Sequence, residues 1–325
     1  MHAWICEAFD GPDALQWKEQ ATPEPGKGEV RVAIKAASLN FPDLLIVQGK
    51  YQMKPPLPFV PGAEFAGVVE AVGEGVKHLA VGTQVAGFAG TGGFGTHAVA
   101  PAFTLMPLPP VFSFGDAAAF LCTYGTTYHA LMDRAALKAG ETVLVLGAAG
   151  GVGTAAIQIA KAAGAKVIAA ASTDDKCALC TSLGADATIN YSTQNLRDAL
   201  KTLTEGKGPD VVYDPVGGDM TEQAFRSIAW RGRHLIIGFA NGPIPALPLN
   251  LPLLKGASVM GVFWGEFAKR EPQNNAACLM QLAAWYMEGK IKPVVEHTLP
   301  MSQLKEAFAL MGSRQVRGKV VLVNE

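Results

Sequence analysis

The chain has 325 residues, of which 49% are hydrophobic, and its 27 basic and 28 acidic side chains leave a net charge of −1. A chain of this length exceeds the size at which a single hydrophobic core stops growing, so we expect two domains. The near-neutral charge argues against a nucleic acid or an anionic membrane as partner, and the sequence shows neither a membrane span nor a secretory signal. We therefore expect a cytoplasmic protein.

Five cysteines are spread along the chain, which favours reduced thiols over a disulfide framework. Only Cys177 and Cys180 have a spacing that suits a metal or a redox pair. They lie in a segment that reads as a helix, and no second pair matches them. We expect both to be helix packing residues.

The first 120 or so residues are rich in glycine and proline and contain short alternating runs. Residues 29–36, 67–72 and 84–88 alternate between apolar and polar side chains. This pattern is typical of strands in a small antiparallel barrel or sandwich.

The segment T-V-L-V-L-G-A-A-G-G-V-G, residues 142–153, predicts a buried strand that runs into a glycine turn and a helix. Its apolar run, residues 143–146, is typical of a parallel strand covered on both faces. The turn has the form A-x-G-x-x-G, formed by Ala148, Gly150 and Gly153. A helix over residues 155–163 and a strand over 166–171 complete a strand–helix–strand unit. We expect this turn to hold a dinucleotide pyrophosphate at the helix N-terminus.

The end of the second strand indicates which dinucleotide is preferred. Sites for the unphosphorylated nucleotide usually place an acidic side chain there to bind the ribose 2′-hydroxyl. This chain has Ala171 at that point, followed by Ser172 and, close by, Lys176. The pattern favours NADPH. Two alternatives stay open: an aspartate at 174 or 175 could reach the ribose, and the lysine could be a solvated helix residue.

The centre and the tail continue the alternation of strands and helices, which predicts a doubly wound parallel sheet. The tail is expected to return its final strand to the first domain. Further strands are predicted at residues 187–191, 211–213, 234–237, 258–263, 294–298 and 319–323, with helices ending near 203 and spanning 275–287 and 302–310.

Several separate segments together resemble one family. They are S-L-N-F-P-D at 38–43, G-K-Y at 49–51, L-P-F-V-P-G-A-E-F-A-G at 57–67, the glycine turn, and R-G-K at 317–319. The chain resembles the zinc-free medium-chain dehydrogenases/reductases of the quinone oxidoreductase (zeta-crystallin-like) branch, over essentially its whole length. The resemblance implies a Rossmann domain at 125–265 and a mostly β, GroES-like catalytic domain formed by 1–124 and 266–325.

The resemblance also indicates where the chain departs from zinc-dependent alcohol dehydrogenases of the same superfamily. Their catalytic zinc requires a Cys and a His at positions that correspond to Asn40 and Ala63. The four-cysteine structural lobe is missing as well, since no cysteine lies between Cys6 and Cys122. Without a Lewis acid the chain is expected to reduce activated acceptors, such as quinones or α,β-unsaturated carbonyls.

The resemblance implies two residues near the substrate. Tyr51 would border the nicotinamide pocket and bind the reduced oxygen or relay a proton, although it could also be a packing residue. Asn40 would bind the ribose or the substrate carbonyl. Alternatively, Asn40 and Asp43 cap a helix that begins near Pro42, and for Asp43 we expect the structural role.

The remaining cofactor residues follow from the resemblance and from the carboxyl ends of the strands, where open α/β sheets bind ligands. Thr126 could instead be only an N-cap, Tyr191 a strand-end residue, Phe263 and Trp264 core or subunit contacts, and Arg317 a solvated charge. The full predicted cofactor set is Asn40, Thr126, Ala148, Gly150, Gly151, Val152, Gly153, Ala171, Ser172, Lys176, Tyr191, Val216, Gly238, Phe239, Ala240, Phe263, Trp264 and Arg317.

These expectations lead to an NADPH-dependent, zinc-independent quinone oxidoreductase that acts on a small molecule. A reductase of alkenals, enones or enoyl thioesters would use the same scaffold and stays open. So does a third class of function, an NADPH-binding structural or RNA-interacting protein. We also expect a homodimer, because the apolar strand at 258–263 would otherwise leave an exposed sheet edge.

Overall fold

The computed structural model describes residues 1–325 and divides the chain into two compact units. The first unit combines Met1–Cys122 with Val295–Glu325, and the second is Thr123–Val294. The strands, in chain order, are β1 His2–Ile5, β2 Gln16–Glu19, β3 Glu29–Ser38, β4 Glu64–Val72, β5 Gln84–Phe88, β6 His97–Pro101, β7 Leu105–Pro107, β8 Thr142–Val145, β9 Lys166–Ala171, β10 Ala187–Asn190, β11 Val211–Asp214, β12 Arg233–Ile236, β13 Ser258–Gly261, β14 Val295–Pro300 and β15 Lys319–Val323.

Eleven α-helices accompany these strands, and a π-helical segment, His129–Arg134, directly follows the third of them. The helices are α1 Phe41–Val47, α2 Phe114–Ala118, α3 Leu121–Tyr128, α4 Gly151–Ala162, α5 Asp174–Ser182, α6 Leu196–Leu203, α7 Asp219–Ser227, α8 Asn250–Lys255, α9 Trp264–Arg270, α10 Pro272–Met287 and α11 Leu304–Gly312.

The first unit is built on a seven-stranded sheet with the order β14-β15-β3-β4-β5-β7, in which β6 also pairs with β3. Alternate residues of β3, among them Val30, Val32 and Ile34, are buried in its core. The chain's last strand, β15, pairs with β3 on one side and β14 on the other. This confirms the prediction that the final strand returns to the first domain.

The second unit contains a six-stranded parallel sheet with the order β10-β9-β8-β11-β12-β13. Counted from β8, this is the doubly wound order 3-2-1-4-5-6 of a Rossmann fold. The inner strands are buried on both faces, which explains their continuous apolar runs. The predicted fold class is confirmed.

The helix after the glycine turn begins earlier than the sequence analysis predicted. It was expected from residue 155, whereas α4 begins at Gly151 with Gly150 as its N-cap. The Thr154 amide already donates to the Gly150 carbonyl. The glycines therefore form the first helical turn instead of preceding it.

Residues 266–294 lie in the second unit, whereas the sequence analysis assigned them to the first. The Trp264 indole N–H donates to Asn275 Oδ1 at 2.9 Å, and the Trp285 and Tyr128 ring centroids are 5.6 Å apart. At the end of this segment, the Gln158 side chain forms two hydrogen bonds with the backbone of Lys292. These contacts connect α10 to the second unit, and the apolar pattern of a helix does not indicate which unit it packs against.

Candidate functional site

The glycine turn after β8 is closely packed against backbone. A Cβ atom at Gly153 would lie 2.4 Å from the Gly147 oxygen and 2.6 Å from the Ala148 oxygen, so that position excludes any side chain. A Cβ at Gly150 would meet only the Gly147 oxygen, at 3.4 Å. Gly150 thus has open space beside it, and the amides at the N-terminus of α4 have no carbonyl of the helix to bond, as a pyrophosphate requires. The residues present fit a dinucleotide.

The end of β9 carries a cation beside a hydroxyl, and one of the two nearby acids is already hydrogen-bonded. Ala171 is buried, and the Lys176 ammonium lies 3.4 Å from the Ser172 hydroxyl. The Asp174 carboxylate already accepts a hydrogen bond from Asn190 Nδ2 at 2.7 Å. Of the two aspartates that could have bound a ribose hydroxyl, one is therefore engaged with the neighbouring strand.

A buried carboxylate shapes the loop after β11. Asp214 Oδ1 accepts the backbone N–H groups of Val216 and Gly217 at 2.9 Å, while Oδ2 accepts the Thr221 hydroxyl at 2.6 Å and lies 3.0 Å from His234 Nε2. Although burial opposes ionisation, these bonds and the imidazole hold the pKa of Asp214 below its usual range. The sequence analysis gave Asp214 and His234 no role.

The loop after β12 meets the loop after β11. The Gly238 amide donates to the Asp214 carbonyl and the Ala240 amide to the Pro215 carbonyl. Phe239 lies against Gly217, where an added Cβ would be 2.9 Å from the ring. The predicted residues after β11 and β12 thus lie together at the carboxyl edge of the sheet. The glycine turn after β8 and Ser172 after β9 lie at the same edge.

Four further predicted residues have the following places in the second unit. Thr126 is inside α3 and is not an N-cap. Tyr191 follows β10, is partly buried and donates its amide to the Ala171 carbonyl. Phe263 is 57% exposed, whereas Trp264 is buried against Gly125. A cofactor contact for any of these four residues stays a prediction.

In the first unit, Asn40 and Asp43 form the cap of α1. Asp43 Oδ2 accepts the Asn40 backbone N–H at 2.8 Å, and Oδ1 accepts the Ala63 N–H at 3.0 Å. The structural role expected for Asp43 is confirmed. Its carboxyl group is buried, which raises its pKa to about 7 despite both hydrogen bonds, and Glu64 contributes to the increase while Lys319 opposes it.

Two charged side chains that the sequence analysis did not single out lie beside this cap. Glu64 is fully buried and Lys319 is 5% exposed. The Lys319 ammonium lies 3.7 Å from Glu64 Oε2 and donates to Asn40 Oδ1 at 2.5 Å. Both residues lie in segments that carry the family resemblance, residues 57–67 and 317–319, but nothing in the sequence indicates that the two side chains pair.

Tyr51 and Arg317 also lie in the first unit. Burial, together with Cys122 and Asp43, raises the pKa of the half-buried Tyr51 phenol. The Arg317 guanidinium is paired with Glu296 at 2.6 Å, and the Arg317 backbone N–H also donates to that carboxylate. Arg317 is therefore an ion-paired residue, and a contact with the cofactor stays a prediction.

The residues of this chain do not form a zinc site of the dehydrogenase kind. Asn40 offers an amide that is already bonded on both sides, and Ala63 offers no donor atom. No group of three or more His, Cys, Asp or Glu side chains is arranged to hold a metal ion. Separately, every helix is too short or too polar to cross a bilayer.

Two family models match the chain. One, described as an alcohol dehydrogenase GroES-like domain, covers residues 26–110, and the other, described as a zinc-binding dehydrogenase, covers residues 151–285. The first match lies in the unit built on the seven-stranded sheet, and the second lies in the unit with the parallel sheet.

Individual proteins match over nearly the whole chain. A quinone oxidoreductase-like protein 2 homolog from Nematostella vectensis is 40% identical over 98% of this chain and 88% of its own length. The crystal structure of Escherichia coli quinone oxidoreductase complexed with NADPH superposes with a TM-score of 0.93 at 31% identity, over 100% of both chains. A solved NAD-dependent alcohol dehydrogenase has a TM-score of 0.91 at 34% identity, again over 100% of both chains.

Proposed function

Because this chain belongs to the quinone oxidoreductase family of the medium-chain dehydrogenases/reductases, we propose that it is a zinc-independent reductase of quinones. It is an oxidoreductase, and its cofactor is NADPH. The proposal that no zinc is needed rests on the hydrogen bonds of Asn40. Its amide is held between Lys319 and Glu64, at the position where a zinc enzyme would place a ligand.

The preference for NADPH over NADH is supported by the end of β9. A 2′-phosphate is a dianion at neutral pH, and Ser172 and Lys176 offer it a hydroxyl and an ammonium. Asp174, which could have bound a ribose hydroxyl, is bonded to Asn190 instead. Since a relative in fold is an NAD-dependent enzyme, this local chemistry rather than the fold distinguishes the two nucleotides.

Bound NADPH supplies the hydride, and the chain's own residues orient the acceptor and manage the proton. Tyr51 keeps its proton at neutral pH, since its pKa lies above the ordinary phenol value. We assign it the role of donating that proton, or a hydrogen bond, to the acceptor oxygen. Asn40 is assigned a hydrogen bond to the same oxygen, which leaves the acceptor polarised without a metal ion.

Activity with chelator-treated protein tests the proposal. NADPH oxidation is measured with a small benzoquinone and, in parallel, with a short enone, and each reaction is repeated with NADH. We expect quinone turnover with NADPH that survives chelation, and a drop in kcat of at least about tenfold in Tyr51→Phe. Turnover of the enone alone would make the chain an enone reductase. NADPH binding without turnover of either acceptor would favour a structural or RNA-interacting role.

We further propose that two copies associate through β13. This strand lies at the edge of the six-stranded sheet and pairs only with β12. Val259 on β13 is 46% exposed, and the neighbouring Leu249, Leu253 and Leu254 around α8 are 84%, 78% and 68% exposed. An unpaired edge next to apolar side chains suits a second copy of the same edge.

Light scattering after size exclusion tests the association. We expect a dimer for the wild type and a monomer for Val259→Lys, because a lysine on an edge strand opposes pairing. Val81→Lys, which places the same charge at a 66% exposed valine of the first unit, should leave the dimer intact. A monomeric wild type would contradict the proposal.

A further inference from the structure

One group of buried charges has no place in the proposed reaction so far. Glu64 is fully buried and receives hydrogen bonds from the Ser38 hydroxyl at 2.9 Å, Asn40 Nδ2 at 3.0 Å and the Cys122 backbone N–H at 2.9 Å. A buried carboxylate needs a counter-charge as well as hydrogen bonds. Lys319 is the only cation within salt-bridge distance of Glu64.

Lys319 does more than neutralise this carboxylate. Its ammonium also donates to the Leu39 carbonyl at 2.9 Å and to Asn40 Oδ1 at 2.5 Å. These two bonds are shorter than its 3.7 Å separation from Glu64 Oε2. The ammonium is therefore directed at the backbone and amide around Asn40, and its charge balances Glu64 from a slightly longer distance.

The Asn40 amide consequently lies between two opposite charges. Its oxygen faces the Lys319 ammonium and its nitrogen faces the Glu64 carboxylate. A flipped amide would place oxygen against carboxylate and nitrogen against ammonium, so only one orientation is stable. One of the two amide hydrogens is used by Glu64, which leaves the other to serve as a donor in a fixed direction.

We propose that Lys319 is a positioning residue that fixes the Asn40 amide, so that its second N–H is presented as a rigid hydrogen-bond donor to the oxygen of the acceptor. This inference rests on the proposed function, in which Asn40 contacts that oxygen. The Lys319 ammonium thus orients the Asn40 amide, and Asn40 itself contacts the acceptor oxygen. A pre-aimed donor is more effective than a mobile one because it needs no reorganisation as charge develops on the oxygen.

A double-mutant cycle measures the connection between the two residues. We expect kcat/KM for the quinone to fall about 100-fold in Lys319→Met and in Asn40→Ala, with the NADPH dissociation constant changed less than about threefold. The variant with both changes should lose no more than about threefold beyond either single variant. A loss that multiplies to about 10⁴-fold would overturn the inference. Lys77→Met, which removes an exposed lysine of the same unit, serves as the control and should retain activity.

A second variant separates positioning from simple charge balance. Lys319→Met leaves Glu64 as a lone buried charge and could prevent folding, whereas adding Glu64→Gln removes both charges together. We expect this neutral pair to recover thermal stability toward that of the wild type while activity stays about 100-fold low, because Asn40 Oδ1 has lost its donor. Recovery of activity together with stability would show that Lys319 only balances charge, and would overturn the inference.

A readout without turnover keeps the inference separate from the proposed function. The side-chain amide resonances of Asn40, assigned by their loss in Asn40→Ala, are followed by ¹⁵N NMR in the wild type and in the neutral pair. We expect slow hydrogen exchange in the wild type and exchange at least about tenfold faster in the neutral pair. Equal exchange in both would overturn the positioning role. If the wild type reduces neither quinone nor enone, the proposed function fails while this measurement still decides the role of Lys319.

Discussion

The two units arrange their candidate functional residues in different ways. In the second unit, the glycine turn at 147–153 consists of backbone, and its parts are adjacent in sequence. In the first unit, Ser38, Asn40, Glu64 and Lys319 meet as buried side chains, and Lys319 is 279 residues from Asn40. We therefore expect the glycine turn to be sensitive to added side-chain atoms and the buried cluster to be sensitive to a lost charge. The following changes test this difference.

Removing the central carboxylate of the first unit should have the largest effect. Glu64→Ala leaves the Lys319 ammonium without its counter-charge and three donors without their acceptor. We expect the free energy of unfolding to fall by about 3–5 kcal/mol. Urea denaturation measures this loss. Glu74→Ala, at an 82% exposed glutamate, should stay within about 0.5 kcal/mol of the wild type.

The protonation of Asp43 should make the first unit sensitive to pH. Its pKa is about 7 in the folded state and lies in the ordinary range when unfolded, so the folded protein holds a proton between about pH 4 and pH 7. This group therefore contributes stability at low pH and loses it as pH rises through 7, by up to about 4 kcal/mol. Unfolding curves between pH 4.5 and 8 measure the trend.

Asp43→Asn provides the comparison for that trend, because an amide does not titrate. The buried partners Glu64 and Lys319 remain in both proteins. We expect the difference in unfolding free energy between variant and wild type to change with pH and to level off above pH 7. A constant difference across the range would mean that Asp43 is already ionised at pH 4.5.

Adding a methyl group to the glycine turn should have an intermediate effect that depends on position. Gly153→Ala forces a Cβ to within 2.6 Å of two carbonyl oxygens, and we expect a loss of about 1–3 kcal/mol in stability. Gly150→Ala meets nothing closer than 3.4 Å, so its melting temperature should match the wild type. It should nevertheless weaken NADPH binding, since the methyl group would occupy the place of the pyrophosphate. Calorimetric titration and thermal melts distinguish the two variants.

The smallest effect is expected at the end of β9. Lys176→Ala should raise the NADPH dissociation constant about tenfold, which corresponds to about 1.4 kcal/mol, and leave NADH unchanged. Lys201→Ala, at an exposed lysine of the same unit, should alter neither constant. An equal loss for both nucleotides would place Lys176 away from the 2′-phosphate.

The bounds of strands and helices were predicted best where they depend on residues close together in the sequence. Strands β5, β9 and β15 have the predicted bounds, because alternation or a continuous apolar run is a local signal. The start of α4 was misplaced, because glycine has no helix propensity to mark it. The short helix α8 was not predicted, because six residues with three leucines show no clear period.

The candidate site residues differ in the same way: those close together in the sequence were predicted, and those that pair over a long separation were not. A cofactor role for Gly150, Gly153 and Ser172 was predicted from short stretches of sequence, whereas no single stretch indicates that Glu64 and Lys319 pair. The role of Asp214 was missed for a related reason, since its partner His234 lies on the next strand of the sheet. Pairing across a sheet or between distant strands is a property of the fold, so these roles emerge only from coordinates.

The position of β15 between β14 and β3 also governs how this chain can fold during synthesis. The second unit is one continuous segment, so all of it is available once residue 294 has been made. The first unit includes Met1–Cys122 but lacks its interior strand β15 until residues 319–323 have been made. β6 can cover residues 29–33 of β3 early, but residues 36–38 of β3 lack their partner strand β15 until the whole second unit has been synthesised. Removal of residues 319–325 would therefore leave residues 36–38 of β3 permanently without this partner strand.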